Sequence, residues 1–291
     1  MTELIIQSLY SGVLIGAYYA LIALGLALVF GTMRIINLAH GELVLLAGYI
    51  AYTAESQYGL NPIWALPFAV VIVSITSVLV YLLLTRIKTD REINSLILTF
   101  GIGIALTNAI LLIWSADVRS TNVAWYHEPF VMADTFYAMK AEVLAALAGA
   151  VMVAAVWWWL NRSWYGRALR AVSSNRDAAK LMGINPRTTE VLSFGVAGLL
   201  AAIAGVALYT GQVIQPSVGH ALTIKAFVIT VLAGLGSVPG VLVGAILIGI
   251  AESLTATLWS SALQPMAGMV LFLVVLLVMP SGLFGRARRR G

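Results

Sequence analysis

Six ionisable or amide side chains stand in stretches of this 291-residue chain that are otherwise built largely of aliphatic residues: Arg34, Asn37, His40, Glu42, Lys225 and Glu252. The first four fall in one short run, Gly31-Thr-Met-Arg-Ile-Ile-Asn-Leu-Ala-His-Gly-Glu42. Asn37 and His40 are three apart, so on a helix they share a face, and the group could line or gate a path for a small hydrophilic solute. The same residues also suit a helix start at a membrane surface, with Arg34 among the head groups and the others bonding neighbouring helices. A His–Glu pair further suggests metal or acid–base chemistry. The chain has only His40, His127 and His220 and no HExxH spacing, which argues against both. Lys225 and Glu252 carry opposite charge in separate apolar runs. They would neutralise each other inside a bundle if their helices touch. A solute contact is the alternative, and the long stem of Lys225 could instead reach an interface. Lys225 lies in a second interruption, from Gly211 to Gly240, together with Pro216, Gly219, His220, Gly234, Gly236 and Pro239. Irregular backbone and ionisable groups at membrane depth are tolerated only where protein or a water-filled cavity satisfies them. Arg34, Asn37, His40, Glu42, Pro216, Lys225 and Glu252 are therefore the candidate residues of a translocation pathway or gate.

The elements that must position them are membrane spans. The chain is 61% hydrophobic and 10% charged, with a mean hydropathy of +0.96, whereas soluble domains carry roughly 25% charged residues. A span needs about 20 apolar residues, and hydropathy places candidates at 5–30, 32–54, 63–84, 95–114, 139–160, 189–210, 222–236, 239–257 and 262–279. Because 211–240 could contain a re-entrant element, the expected fold is an all-α, polytopic transmembrane bundle of roughly 8–10 spans with broken or re-entrant segments. It forms a single domain over 1–291. Segments 85–94, 161–190 and 280–291 hold 13 of the 17 basic residues. Clustering between apolar runs marks cytoplasmic loops rather than a nucleic-acid surface. It puts the N-terminus outside and the C-terminus inside, with 115–138 as an outer loop. The opening MTELIIQSLY lacks a basic n-region and reads as the start of a retained span. Small residues recur at helical spacing in 195–205 and 240–249, which lets helices approach closely. Leu-Ala-Gly follows His40 of the first interruption and His220 of the second, at 46–48 and 232–234, as an internal repeat would place it.

Residues 161–190 form a basic loop with a helix of its own. Ser174 stands three residues before Asp177, a capping-box spacing. Gly183 and then Pro186 supply a stop, giving a helix over 174–183. Ala178, Ala179, Leu181 and Met182 offer an apolar surface beside Arg176 and Lys180. A helix lying on lipid usually carries Trp, Phe or several Leu on its apolar face. Small residues suit close protein contact better. Ser174, Asn175, Arg176, Asp177, Ala178, Ala179 and Gly183 are thus candidate docking residues for another protein. The chain carries no GxxxxGK[ST] nucleotide loop and no GxSxG nucleophile. Energised work would draw on a partner or an ion gradient.

Asp177-Ala178-Ala179, separated by three residues from Gly183, resembles the EAA-xxx-G loop of ABC importer permeases, with Asp in the Glu position. Met33-Arg-Ile-Ile-Asn-Leu-Ala-His-Gly-Glu42, Gly166-Arg-Ala-Leu-Arg-Ala171, Leu181-Met-Gly-Ile-Asn185, Ala233-Gly-Leu-Gly-Ser-Val-Pro-Gly240 and Val278-Met-Pro-Ser-Gly-Leu283 extend the likeness over essentially the whole chain. Together they resemble the branched-chain amino acid ABC transporter permeases of the LivH type. The resemblance implies an inner-membrane permease subunit without its own ATPase site. A second homologous permease, two ATP-binding subunits carrying ATP and Mg2+, and a periplasmic substrate-binding protein complete the machine, with no cofactor in this chain. It implies alternating access, with the 174–183 helix coupling ATP-driven motion to the spans. Relatives carrying urea or short amides are an alternative within the family. A stand-alone secondary transporter or channel is the alternative outside it, and would rely on a membrane carboxylate such as Glu42 or Glu252.

Overall fold

Apolar runs of this length can satisfy their backbone polar groups in a bilayer only as helices or closed barrels, and helices are what form. The computed structural model describes residues 1–87, 89–132, 136–234 and 236–285. The arginines of the 280–291 tail, Lys88 and Asp134 lie outside them. The helices are α1 (Thr2–Met33), α2 (His40–Tyr58), α3 (Leu66–Leu84), α4 (Arg91–Trp114), α5 (Lys140–Arg162), α6 (Trp164–Ser174), α7 (Arg176–Leu181), α8 (Pro186–Gly211), α9 (Val218–Ala233), α10 (Val238–Leu258) and α11 (Gln264–Val278). Among the described residues, seven helical segments are long and apolar enough to cross a membrane: α1, α4, α5, α8, α10, and α3 and α11 each with a preceding 3-10 turn. One departure from the all-α expectation is a short antiparallel hairpin, β1 (Pro129–Met132) with β2 (Phe136–Met139), in the 115–138 loop.

Of the four helices outside that set, α6 and α7 belong to the 161–190 loop, and α2 and α9 carry the interruptions. α2 has 19 residues but begins on His40 and Glu42 and carries Glu55 near its end. α9 has only 16 residues, and it starts and ends earlier than the span expected over 222–236. The expected continuous helix over 32–54 is broken. α1 ends in a left-handed Arg34 (φ 55°), and helix resumes only at His40. The His40 ring then meets the carbonyl of Ile22, eleven residues back from the end of α1. At 1.5 Å per helical residue, the 34–39 segment re-enters the bundle by about 16 Å. Thr223 of α9 bonds the first turn of α2, its Oγ1 accepting from Gly41 N–H at 2.8 Å. α9 ends where Leu283 and Phe284 donate N–H to its last carbonyls, and Gly236 just beyond it faces Gly31 near the end of α1. Two short helices thus start side by side within the bundle. α9 runs toward the α1 C-terminal end and α2 away from it. The two Leu-Ala-Gly tripeptides fall at unlike places, mid-helix in α2 and at the end of α9.

α1 is the centre of the core, buried almost continuously from Gly16 to Val29. It packs on α10 through Gly12 and Gly16 against Gly249, where a Cβ on any of the three would overlap partner backbone. α8 meets α2 and α3 the same way: Gly205 lies against Val44 and Gly198 against Ser74. The small-residue stripe therefore acts at Gly198, Gly205 and Gly249. Gly240 and Gly244 lie against the Ala233 carbonyl and the Leu232 side chain of α9 as well, whereas Gly195 meets only the far end of Val78. At one end of the bundle the 115–138 loop is pinned by Glu55, which accepts from Thr121 Oγ1 and Asn122 N–H (each 2.7 Å) and from Tyr209 O–H (2.9 Å). At the other end, 161–190 comes up against the C-terminal end of α3.

Candidate functional site

The basic loop folds into two helices rather than one. Ser163 starts α6, its Oγ accepting from Gly166 N–H at 2.9 Å, and α6 buries Gly166, Ala168, Leu169 and Val172 against the bundle. Ser174 is the last residue of α6, so the capping box proposed for it does not form. Asn175 is the cap instead. Its extended backbone (φ −153°) separates the helices, and its Oδ1 accepts from Asp177 N–H (3.1 Å) and Ala178 N–H (3.0 Å). A single residue that breaks one helix and caps the next fits Asn, whose short amide competes for backbone N–H groups. α7 runs over Arg176–Leu181, shorter than the expected 174–183. Gly183 closes it in the left-handed region (φ 79°), with its N–H on Lys180 and that of Ile184 on Ala179. Pro186 does more than stop α7: it is the first residue of α8, with Asn185 as cap.

The faces of α7 are sharply divided. Ala179 is buried, so it belongs to the inner face and not to a docking surface. Arg176 turns inward and pairs with Glu190 at 3.2 Å, and Glu190 is itself buried and accepts from Tyr81 O–H at 3.0 Å. Outward stand Asp177, Ala178 and Lys180, with Leu181 at 89% and Met182 at 81% exposure. Sequence reasoning missed Glu190 and Tyr81. The signal was there, since Glu190 is the single acid in the 26 residues of α8.

The membrane-level candidates separate into different places. Arg34 is exposed at the end of α1. Asn37 is buried but precedes α2. Its Oδ1 accepts from Ala39 N–H and its carbonyl from His40 N–H, so it does not share a helix face with His40. His40 is buried between α2 and α1, its Nε2 2.9 Å from the Ile22 carbonyl, and a Cβ on Gly25 would strike its ring. Glu42 is buried too, yet it borders a crevice between α2, α4 and α9. Pro216 is buried in the turn before α9, two residues after Ile214 pairs with Arg119 of the 115–138 loop. Lys225 and Glu252 are brought together at 2.9 Å. A third member, unanticipated from sequence, is Tyr19 of α1. Its hydroxyl lies 2.9 Å from both Lys225 Nζ and Glu252 Oε2, and its ring lies under the ammonium at 4.2 Å.

A helical bundle of this length and hydropathy, with re-entrant chain in its middle and a capped helix projecting from one end, is a multi-pass membrane protein. The sequence profile of the branched-chain amino acid transport system permease components matches residues 8–279, and the chain belongs to this family. It is 32% identical to the high-affinity branched-chain amino acid transport system permease protein LivH of Escherichia coli K12, covering 97% of this chain and 96% of that one. It is 31% identical to the corresponding permease BraD of Pseudomonas aeruginosa, again over 97% and 96%. Among solved structures, PsaBC from Streptococcus pneumoniae in complex with Fab matches 94% of this chain and 93% of that one, with a TM-score of 0.50 at 13% identity, a likeness of fold. As a permease component the chain works with ATP-binding and substrate-binding partners in a lipid bilayer.

Proposed function

We propose that this chain is the inner-membrane permease subunit of an importer for branched-chain or related amino acids, driven by alternating access. Its complex contains a second, homologous permease, two ATP-binding subunits that hold ATP and Mg2+, and a periplasmic binding protein. The end bearing 85–94 and 161–190 faces the cytoplasm, where basic loops belong. The observation that carries this reading is the pair Leu181 and Met182, nearly fully exposed on a capped helix that is otherwise fastened to the bundle. Exposed apolar side chains on a fixed projection suit burial in the charge-poor core of a protein interface. The single domain over 1–291, with 161–190 as its coupling element, follows from the same reading.

The experiment is reconstitution. Vesicles holding the permeases, the ATP-binding subunits and the binding protein should accumulate leucine only with hydrolysable ATP. Vesicles holding this polypeptide alone should not, even with a proton gradient imposed. Gradient-driven accumulation by the lone polypeptide would instead mark a secondary transporter.

Within this reading Arg176, Glu190 and Tyr81 tie α7 to α8 and α3, so displacement of the knob reaches two spans directly. Hydrogen bonds to charged groups contribute about 1.5–3 kcal/mol, so Glu190→Gln should lower uptake about tenfold while the ATP-binding subunits still co-purify. Charge reversal at both positions, R176E with E190R, should recover part of the loss. Uptake by Glu190→Gln at the unaltered rate would remove the tie from the mechanism.

A further inference from the structure

Two carboxylates lie at the level of the re-entrant chain, and they are treated differently. Glu252 is neutralised by Lys225 at 2.9 Å. Glu42 is equally buried, but its side-chain contact is the Thr223 hydroxyl at 3.4 Å. Among the described residues around its crevice there is no lysine or arginine, and the basic group that faces it is His220. The carboxylate lies between Gly103 of α4 and Gly219 of α9, whose missing side chains leave it room. The crevice it borders has space of about 280 Å3, close to the ~300 Å3 at which small-molecule sites begin. Thr107 and Asn108 of α4 and His220 of α9 add polar groups, while Phe100 and Ile104 make an apolar wall. His220 and Asn108 are exposed on the isolated chain. Polar side chains at membrane depth face protein or a water-filled cavity rather than lipid.

We infer that this crevice is a solute site in which the carboxylate of Glu42 receives the α-ammonium of a small apolar amino acid while Phe100 and Ile104 cover its side chain. The inference rests on the importer reading for the solute class and deepens it by naming the atoms that meet the solute. The α-ammonium of the cargo pairs with Glu42, and the zwitterion's own carboxylate is left to the polar groups of the crevice, Thr107, Asn108 and His220. A solute without an ammonium leaves the carboxylate buried and unneutralised, which disfavours its entry.

The chain contains no cysteine, so single-cysteine labelling is unambiguous. Thr107→Cys in the assembled complex is treated with two thiosulfonate reagents, one ending in an ammonium and one in a sulfonate, each rate normalised to its rate with a free thiol. Focusing of a cation by a fixed carboxylate predicts that the ammonium reagent reacts about 10-fold faster or more. The ratio should fall to near unity in T107C/E42Q. Millimolar leucine should slow the reaction, and 4-methylpentanoate, which lacks the ammonium, should not. Absence of labelling, or equal rates for the two reagents, overturns the inference. If E42Q does not insert, the reagent ratio in T107C alone decides. Labelling requires no transport, so a failure of the importer reading would appear in the reconstitution and leave this result standing.

Discussion

Replacing Leu181 and Met182 together by aspartate should release the ATP-binding subunits and reduce ATP-driven uptake to background, with the permease still in the membrane at normal abundance. The permease itself gains little from these side chains, which stand 89% and 81% exposed. Surface substitutions away from caps and core contacts usually shift stability by less than about 0.5 kcal/mol. α7 keeps its Asn175 cap, its Gly183 closure and its Arg176–Glu190 tie in the variant. The partner loses two apolar anchors and meets two buried charges. Fully burying a Leu or Met side chain is worth about 1.5–3 kcal/mol, so the pair amounts to roughly a thousandfold in affinity. Co-purification and vesicle uptake measure the two halves of the claim separately. An independent disruption is Gly183→Pro: the site has φ 79°, and proline fixes φ near −65°, so the closure of α7 cannot form. If both variants retain their ATP-binding subunits and transport normally, α7 is not the docking element.

How much of this was legible in the sequence depended on whether the signal was local. The apolar runs are long and bounded by charge, and the helices of the bundle lie close to where hydropathy places them, since in a bilayer nothing but helix or closed barrel satisfies such backbone. Gly183 was legible as a stop because a left-handed closure needs only its own backbone. Ser174 was misread for an equally local reason. Two residues in succession, Ser174 and Asn175, both have cap chemistry, and the choice was made by α6, whose register carries Ser174 as its last residue. The break before His40 left its residues in view but not its geometry. Asn37 and His40 at a spacing of three suggest one helical face, yet the chain there is a re-entrant turn whose shape is set by the Ile22 carbonyl and by Thr223. Contacts across more than a hundred residues, such as Tyr19 with Glu252 or Tyr81 with Glu190, depend on which helix faces which. Composition and spacing carry no record of that.

The Lys225–Tyr19–Glu252 group should respond asymmetrically to substitution. Glu252 is 2% exposed and Lys225 26%. Lys225→Met leaves a buried carboxylate with only the Tyr19 hydroxyl. Breaking a buried pair on one side costs about 3–5 kcal/mol. Glu252→Gln instead leaves an ammonium whose stem can carry it into the adjoining crevice beside Pro265 and Met269, at lower cost. The double variant K225M/E252Q removes both charges and should be more stable than K225M alone, a coupling that independent sites would not show. At roughly 2–4 °C per kcal/mol for a chain of this size class, K225M should melt about 10 °C below the parent in a thermal-shift measurement on the purified complex. E252Q and the double variant should fall between. Equal, additive losses would mean that the three groups do not act together. The consequence for transport follows from position. The group joins α9 to α1 and α10, and α9 carries His220 and Thr223 beside Glu42. A solute whose ammonium competed for Glu252 would have to undo this joint, whereas at Glu42 it meets a carboxylate with no lysine or arginine to displace. The stronger the pairing in the first group proves to be, the more completely the solute is directed to the second.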